Sequence, residues 1–392
     1  MPLPRIRLKS SRPCRVQSGH PWAFAGEIDR QGISLADGDC VELRDARGRS
    51  LGAGLWSNKS QIAWRRYSPE ARPFDAAFLD EALNAAVARR SADVPFRRLV
   101  WSEADYLPGL VIDQFDSVFV AQALTTGADR ALPIITTWLR NTFAPREIIL
   151  RNDATQRLRD ALPLEVRTQS GTPFAPEWFR IEGVEYQIDL AGGQKTGFYL
   201  DQREQHLHIA KFAPGRRVLD GFCNQGGFAL HAARAGAASV LGIDSSGECI
   251  RAASRNAVRN GVNAKVRFLC ENMFDWFTNQ RSETDGAGCY DLIVIDPPPF
   301  ARSKDAMDGA LRGYKELNLR ALRMLAPKGI LATYSCSQRI GIESFLAVLT
   351  DAAADARRDA RVLEITGQPP DHPVLLNFPE SHYLKGVILH VE

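Results

Sequence analysis

Residues 218–233 read VLDGFCNQGGFALHAA and join an apolar strand to a helix through a glycine-rich turn. Asp220 ends the apolar run, and Gly226 and Gly227 open the helical stretch. Glycines at such a turn let backbone amides approach a ligand closely. Asp244 follows 24 residues after Asp220, near the offset of about 20 residues at which nucleotide-binding folds place a ribose-binding carboxylate. The pattern predicts a nucleotide-like cofactor site in an α/β domain.

The chain around this turn alternates apolar strands with helical stretches from about residue 188 onward. The strands are RVLDGF, SVLGID, KVRFLC, YDLIVID and GILATYS. Such alternation predicts a Rossmann-like, doubly wound and mostly parallel sheet with helices on both faces. The glycine spacing differs from the G-x-G-x-x-G pattern of dinucleotide proteins, which disfavours a nicotinamide oxidoreductase.

The residues before this domain predict two smaller domains. GDCVELRDARGRSLGAGLW and SQIAWRRYS alternate apolar and polar residues around glycine turns, a pattern typical of a small β-barrel. Residues 75–92 have helical spacing and begin beside an aspartate cap, and residues 97–187 read as strand, strand, helix, strand and strand. We therefore expect a β-barrel at 1–70, a central α+β domain at 71–187 and the α/β domain at 188–392.

Composition excludes several classes of protein. The chain has 392 residues, more than one hydrophobic core usually organises, with 45% hydrophobic and 24% charged residues. No apolar stretch reaches the roughly 18 residues that a membrane helix needs, and the amino terminus lacks the apolar core of a signal peptide, so we expect a cytoplasmic protein. Seven cysteines without CxxC pairs predict reduced thiols and no metal site.

Charge gives an ambiguous signal for nucleic acid. The formal net charge is only +3, but five basic residues precede the first acid, Glu27. They are Arg5, Arg7, Lys9, Arg12 and Arg15. Such a run is either a phosphate-binding face or a solvated terminus, and charge alone does not separate the two.

The glycine-rich turn, taken with DPPPF at 296–300, resembles the class I S-adenosylmethionine-dependent methyltransferases. In that family the turn binds the methionine part, the acid after the second strand binds the ribose, and a residue after the third strand contacts the adenine. The resemblance implies that Asn272, in CENMF, contacts the adenine. Most members of that family have a carboxylate at this position. The expected cofactor-binding residues are Asp220, Phe222, Asn224, Gly226, Gly227, Asp244, Asn272, Asp296 and Gln202.

DPPPF also predicts a substrate site. Its three prolines remove backbone donors and stiffen the turn, so that Asp296 and Phe300 can be held against a flat nucleobase. Similar loops occur in enzymes that methylate exocyclic amines, where the acid accepts from the amino group. We expect Pro297, Pro298 and Phe300 to contact the substrate; the alternative is a strand stopped by prolines.

Cys336, in YSCS, ends the strand that follows a long helix. Carbon 5 of a pyrimidine is a poor nucleophile, but addition of a thiolate to carbon 6 makes it enamine-like and able to take a methyl group. Periodicity alone favours a buried, inert thiol, whereas the neighbouring DPPPF loop favours a catalytic role.

Further motifs resemble one family along nearly the whole chain. GHPWAFAGEI and GLWSNKSQIAWRRYS resemble the PUA domain of the ribosomal large subunit methyltransferase I family, and SEADYLPGLVIDQF resembles its central domain. The catalytic-domain matches are GGQKTGFYLDQRE, NQGGFALHAA, DPPPFARSK, RGYKELNLRAL, YSCS and DHPVLLNFPESHYLKG. The resemblance implies S-adenosylmethionine as cofactor, 23S ribosomal RNA as partner, 5-methylcytosine as product and Cys336 as nucleophile.

Other roles remain alternatives. Glu380, Asp371 or a bound water could remove the carbon 5 proton. Gln194, Lys195, Gln202 and Arg203 could line the RNA or cofactor channel, although Arg203 could instead pair with Asp201 or Glu204. Phe198 and Tyr199 could stack a splayed base, although packing is the commoner role of adjacent aromatic residues. His20, Pro21 and Trp22 are expected to organise the barrel.

Two different functions compete with carbon 5 methylation. One is methylation of an exocyclic amine with Cys336 structural, and the other is a non-catalytic RNA-binding assembly factor. The sequence leaves open the target nucleotide and whether the chain forms a homodimer.

Overall fold

The computed structural model describes residues 2–10, 14–30, 32–193, 195–280, 288–300 and 307–392. Contacts divide the chain into two compact units. Unit one contains Met1–Pro176, Asp189–Leu200 and Pro370–Ser381, and unit two contains Glu177–Ile188, Asp201–Pro369 and His382–Glu392. The chain therefore passes between the units more than once, and each unit is built from separated segments.

Unit one begins with a six-stranded mixed sheet. Its strands are β1 (Arg5–Leu8), β2 (Trp22–Phe24), β3 (Ile28–Asp29), β4 (Cys40–Arg44), β5 (Ser50–Trp56) and β6 (Ile62–Ser68). The order is β2-β6-β5-β4-β1-β3, in which only the β1–β4 pair is parallel. Buried side chains such as Ile6, Val41 and Trp64 form its core.

A second sheet of five strands completes unit one. Its strands are β7 (Phe96–Trp101), β8 (Leu110–Phe115), β9 (Val118–Ala123), β10 (Glu147–Asn152) and β11 (Glu165–Thr168), in the order β11-β10-β9-β8-β7. Two helices, α1 (Ala76–Ala88) and α2 (Thr126–Phe143), pack with it. Asp75 caps α1 by accepting a hydrogen bond from the Phe78 amide, as the sequence predicts. Residues 97–115, which the sequence predicts as the first strand of the stretch 97–187, instead form two antiparallel strands with a 3₁₀ turn at Ser102–Asp105 between them.

Unit two contains a hairpin and a large α/β sheet. The hairpin strands are β12 (Glu177–Ile181) and β13 (Val184–Ile188). The sheet strands are β14 (Arg217–Gly221), β15 (Ser239–Asp244), β16 (Val266–Cys270), β17 (Tyr290–Ile295), β18 (Leu325–Ser335), β19 (Ala360–Gly367) and β20 (Lys385–Val391). The helices are α3 (Arg203–Ala210), α4 (Gly227–Arg234), α5 (Gly247–Arg259), α6 (Met273–Asn279), α7 (Met307–Met324) and α8 (Ile342–Ala356).

The seven-stranded sheet has the order β16-β15-β14-β17-β18-β20-β19. The first five strands are parallel, whereas β20 is antiparallel to both β18 and β19. The strand order reverses at β14, so the turns after β14 and β17 flank the crevice where doubly wound folds bind ligands. This topology confirms the predicted doubly wound, mostly parallel α/β sheet, in which β20 runs opposite to the other six strands.

The hairpin belongs to unit two because α5 holds it. The side-chain oxygen of Asn256 accepts from the Gln187 amide at 3.0 Å, and that of Asn260 accepts from the Glu185 amide at 3.0 Å. Asn260 Nδ2 also donates to the Glu185 carbonyl at 2.7 Å. The central α+β stretch that the sequence predicts up to residue 187 is thus divided between the two units at Glu177.

Within the described ranges, no helix combines the length and apolar character needed to span a bilayer.

Candidate active site

The turn after β14 is held by Asp220. Its side chain is completely buried, and Oδ2 accepts from the Ala229 amide in the first turn of α4 at 2.8 Å. The other carboxylate oxygen, Oδ1, has no hydrogen-bond partner among the described residues. Burial raises the pKa of Asp220 well above its ordinary value, and the charges of Asp296 and Asp244 add to the increase. A ligand that brings N–H donors or positive charge would stabilise the ionised form of Asp220 and use its unpartnered oxygen.

The turn has an unusual backbone. Phe222, Asn224 and Gly226 have φ values of 65°, 48° and 87°, so three of five consecutive residues are left-handed. Non-glycine residues in this region carry strain, and such residues cluster where a protein holds a ligand.

Asp244 ties the end of β15 to this turn. Its Oδ2 accepts from the Asn224 amide at 3.0 Å and its Oδ1 accepts from the Ser246 amide at 2.8 Å. The carboxylate is partly exposed, so both oxygens keep lone pairs that can accept from another donor. Fixed between two amides, Asp244 is oriented for a diol such as a ribose.

Asp296 follows β17 and completes a cluster of three carboxylates with Asp220 and Asp244. Gln202 Nε2 donates to Asp296 Oδ2 at 3.0 Å, while Gln202 Oε1 is buried without a partner among the described residues. The site thus combines acids at three neighbouring strand ends with two buried oxygens, Asp220 Oδ1 and Gln202 Oε1, that have no partner among the described residues. These residues fit S-adenosylmethionine, which has an ammonium group and a sulfonium centre.

The side chain of Asn272 caps the amino terminus of α6. As the N-cap of α6, its side-chain oxygen accepts from the amides of Phe274 and Asp275 at 2.9 and 3.4 Å. The prediction that this oxygen accepts from an adenine amino group therefore competes with capping. The sequence indicates this capping role, because asparagine directly before a helix is a preferred N-cap residue.

The DPPPF loop is described through Phe300, and residues 301–304, the rest of the predicted DPPPFARSK motif, lie outside the described residues. Pro297 is buried, whereas Pro298 is exposed. The Phe300 ring lies 4.9 Å from the ring of Tyr314 and 6.2 Å from that of Phe274, measured between centroids. Phe300 is thus fixed by aromatic packing and keeps part of its surface exposed.

Cys336 lies directly after β18 and is partly exposed. Its Sγ contacts the carbonyl oxygen of Pro297 at 3.7 Å, so the thiol adjoins the DPPPF loop. The sequence placed these two motifs at the same edge of the sheet, and the structure brings them into contact. Partial exposure distinguishes this thiol from an inert core cysteine such as Cys223, which is 4% exposed and has a raised pKa because of burial.

Two buried side chains beside Cys336 were not assigned a role from the sequence. The Tyr314 hydroxyl lies 3.1 Å from the Ser337 hydroxyl. Lys385, which begins β20, donates through Nζ to the carbonyls of Ser337 and Tyr383 at 2.7 and 2.8 Å. Tyr314 lies in the motif RGYKELNLRAL and Lys385 in the motif FPESHYLKG. The motifs therefore mark both residues as candidates, but they do not show that either residue lies beside Cys336.

The two candidate proton acceptors belong to unit one. Arg15 Nη2 donates to Glu380 Oε1 and Oε2 at 2.6 and 2.8 Å, and His20 Nε2 lies 3.1 Å from Oε2. Burial acts to raise the pKa of Glu380, but the hydrogen bonds from Arg15 and His20 outweigh it and lower the pKa. These contacts favour an anchoring role for Glu380, since a carboxylate with a lowered pKa is a weaker base.

Asp371 is also engaged within unit one. Its Oδ2 accepts from the Arg98 amide at 3.1 Å, and its Oδ1 lies 2.8 Å from Nδ1 of His372. The side chain is buried. Asp371 therefore joins residues 370–381 to the second sheet of unit one.

The motif GGQKTGFYLDQRE is divided between the units after Leu200. In unit one, Lys195 is exposed with Nζ 4.1 Å from the centroid of the Tyr199 ring, and Phe198 is only 6% exposed. Burial favours packing over base stacking for Phe198. Gln194 lies outside the described residues. In unit two, Arg203 pairs with Glu182 and Glu204 at 2.7 and 3.1 Å, which agrees with the ion-pair alternative.

The basic amino-terminal run is partly neutralised. Arg5 pairs with Glu42 at 3.1 Å, and Arg15 pairs with Glu380. Arg12 lies outside the described residues. His20 is buried, and Trp22 donates through Nε1 to Glu103 at 2.7 Å, so this motif organises unit one as expected. Charge at the amino terminus is therefore a weaker argument for phosphate contacts than the sequence indicated.

Comparison with known proteins agrees with this geometry. Residues 154–380 match the model of an S-adenosylmethionine-dependent methyltransferase family, and residues 6–69 match a PUA-like domain. The cofactor is accordingly S-adenosylmethionine, as predicted. Two solved structures share the fold over nearly the whole chain. A putative SAM-dependent methyltransferase from Streptococcus mutans is 18% identical, with a TM-score of 0.82 and 98% of this chain and 99% of that chain covered. A putative methyltransferase complexed with SAH is 19% identical, with a TM-score of 0.82 and complete coverage of both chains.

A curated relative shows the family. Ribosomal RNA large subunit methyltransferase I from Aeromonas hydrophila subsp. hydrophila is 37% identical over 393 residues, which cover 98% of each chain. The corresponding protein from Shewanella amazonensis is 36% identical over 394 residues and 99% of each chain. This chain belongs to the ribosomal RNA large subunit methyltransferase I family of S-adenosylmethionine-dependent methyltransferases.

Proposed function

We propose that this chain methylates carbon 5 of a cytosine in 23S ribosomal RNA, with Cys336 as the covalent nucleophile. The observation that carries the proposal is the contact between Sγ of Cys336 and the carbonyl of Pro297. It supports a site in which the thiol and the base-binding DPPPF loop act on one ring. Methylation of an exocyclic amine needs the loop but not the thiol.

Binding of the cofactor would use Asp220, Asp244 and Gln202, which surround the turn that contains Asn224 and Gly226. When bound, S-adenosylmethionine supplies an electrophilic methyl group. The carboxylates of Asp244 and Asp296 would stabilise its positive charge, and that charge would in turn favour ionisation of the buried Asp220. Because Gln202 donates to Asp296, the cofactor side of the site is connected to the DPPPF loop.

The chain's own residues prepare the cytosine. The Cys336 thiolate forms a bond from sulfur to carbon 6, while Asp296 holds the N3/N4 edge and Phe300 supports the ring. The electron pair released toward carbon 5 then makes that carbon the nucleophile for the methyl group. Removal of the carbon 5 proton restores the double bond, and the sulfur–carbon bond breaks to release the thiolate.

A proton acceptor must complete the reaction. The sequence proposes the Glu380 carboxylate as this acceptor, and a bound water is the alternative. Because Arg15 and His20 already bind the Glu380 carboxylate, these contacts favour water as the proton acceptor. The PUA-like domain in unit one supports binding of RNA, which must present an unpaired cytosine because the ring has to leave its stack.

The proposal is tested by incubating the protein with unmodified ribosomal RNA and labelled S-adenosylmethionine and identifying the product nucleoside by mass spectrometry. We expect 5-methylcytosine in 23S RNA, and a loss of at least about a thousandfold in rate for Cys336→Ala. The matched control, Cys289→Ala, removes a thiol directly before β17 and should retain activity. An N-methylated base formed equally well by Cys336→Ala would replace the proposal with amine methylation.

A further inference from the structure

Lys385 is an enclosed lysine with no acidic partner in the part of the chain that the structure describes. It is 2% exposed, and in the register of the sheet it lies opposite Ser335 of β18. Among the described residues, its hydrogen-bond acceptors are the carbonyls of Ser337 and Tyr383, at 2.7 and 2.8 Å. Neither acceptor is charged. A buried ammonium is costly unless an opposite charge lies nearby.

Cys336 can supply that charge. It lies between Ser335, which pairs with Lys385 across the sheet, and Ser337, whose carbonyl accepts from Nζ. Burial lowers the pKa of Lys385 to about 8, while the nearby Cys336 acts to raise it. The two groups are therefore close enough for their charges to interact, and the benefit of that interaction is mutual.

We propose that Lys385 is a positioning residue that holds Cys336 as a thiolate, an inference that rests on the proposed nucleophilic role of Cys336. The thiol proton leaves to solvent, and the ammonium keeps its three protons as the counter-charge to sulfur. Hydrogen bonds to two carbonyls fix Nζ, so the charge stays in place when the thiolate is consumed and regenerated. Lysine beside a cysteine lowers the thiol pKa in other proteins through the same attraction.

The other charged and titratable groups near the thiol do not replace Lys385. Tyr314, from α7, has a pKa that burial raises to about 12, so its hydroxyl stays protonated and neutral. Asp296, from the DPPPF loop, is negative and opposes a thiolate. His382 is next to the same strand, and burial together with Lys385 lowers its pKa, so it is neutral at pH 7. Among these groups only Lys385 supplies positive charge.

The test measures the thiol directly and needs neither RNA nor cofactor. The full chain is alkylated with iodoacetamide between pH 5 and 10, and the rate at Cys336 is read by peptide mass spectrometry. We expect a wild-type midpoint below the value of about 8.5 for an ordinary thiol. Lys385→Gln keeps a donor for the carbonyls but removes the charge, and should raise the midpoint by about one unit, a roughly tenfold slower alkylation at pH 7.

Two variants control for structure. Lys385→Arg retains the charge and should keep the midpoint low, and Lys315→Gln removes an exposed lysine of α7 that pairs with Asp355 and should change nothing. An unchanged midpoint in Lys385→Gln overturns the inference. If that variant does not fold, the wild-type profile decides, because a midpoint at or above 8.5 also overturns it. Loss of the proposed reaction would leave this readout intact, since alkylation does not depend on RNA methylation.

Discussion

Cys336 Sγ lies 3.7 Å from the carbonyl oxygen of Pro297. The two residues follow β18 and β17, which are parallel neighbours in the seven-stranded sheet. Because parallel neighbours end at the same edge, the thiol and the DPPPF loop are held together by the sheet rather than by a flexible segment. The site can therefore be tested by substitutions that leave the sheet intact.

Asp244 should control cofactor affinity. Asp244→Ala removes the acceptor for the Asn224 amide and the proposed ribose ligand, and hydrogen bonds to a charged group contribute about 1.5–3 kcal/mol. We expect S-adenosylmethionine to bind roughly 10- to 100-fold more weakly in isothermal titration calorimetry. Asp291→Ala is the matched control, because Asp291 lies at the opposite end of the sheet and pairs with Arg217. Equal losses for both variants would contradict the assignment.

Asp220 should make the protein without cofactor less stable as the pH rises. An acid whose folded-state pKa is raised keeps its proton in the folded protein after the unfolded chain has released it. Stability therefore falls as the pH rises above the unfolded-state pKa of about 4, until the pH passes the folded-state pKa.

Asp220→Asn removes this penalty while keeping an acceptor for the Ala229 amide. We expect urea unfolding at pH 7.5 to show a variant more stable by roughly 0.5–2 kcal/mol, with the difference shrinking toward pH 4 and with weaker cofactor binding. A variant less stable than the wild type at pH 7.5 would contradict the raised pKa of Asp220.

Gly227 should tolerate no side chain. A Cβ at this position would collide with the imidazole of His206, and that ring is buried against Phe228 and His231. Gly227→Ala should therefore destabilise the protein by about 1–3 kcal/mol, because packed side chains cannot move away without strain. Gly341, which precedes α8, has open space where a Cβ would lie, so Gly341→Ala should leave the unfolding midpoint unchanged. A neutral Gly227→Ala would show that His206 can rotate away.

Glu380 should stabilise unit one in a pH-dependent way. Its lowered folded-state pKa means that the contribution is present above the unfolded-state value and is lost as the pH falls through the folded-state value. Glu380→Gln should cost about 0.5–1 kcal/mol at pH 7, and the difference from wild type should vanish on acidification. Glu81→Gln, which affects an exposed pair with Arg72, should cost less.

The same variant separates the two roles of Glu380. Methylation that continues at a moderately reduced rate assigns proton removal to water. An RNA–protein adduct that accumulates in Glu380→Gln, visible as a band that survives denaturing electrophoresis, assigns proton removal to Glu380 instead.

The strand-end residues of the site could be predicted from the sequence. Asp220, Asp244, Asp296 and Cys336 each follow an apolar run, and runs that alternate with helices become parallel strands whose ends share one edge. The structure places all four at or directly after such strands. The local sequence pattern was sufficient to predict their positions, because parallel strands bring the residues at their ends to one edge of the sheet.

The remaining features depend on contacts between residues far apart in the chain. Lys385 reaches Ser337 only because β20 runs antiparallel to β18, and nothing local to FPESHYLKG shows that reversal. Glu380 lies in the same motif, yet its partners Arg15 and His20 are more than 350 residues away. Asn272 is the opposite case, because its capping of α6 follows from a local sequence preference, whereas the family pattern assigns this residue to the adenine.

The central claim is the bond between Cys336 and carbon 6 of the cytosine. It is tested most directly by giving the protein ribosomal RNA that contains 5-fluorocytosine, together with S-adenosylmethionine, and mapping any cross-linked peptide by mass spectrometry. Fluorine replaces the proton that must leave carbon 5, so we predict a stable RNA adduct on Cys336 and none in Cys336→Ala. Undiminished methylation of ordinary RNA by Cys336→Ala, with no adduct on fluorinated RNA, would contradict the account.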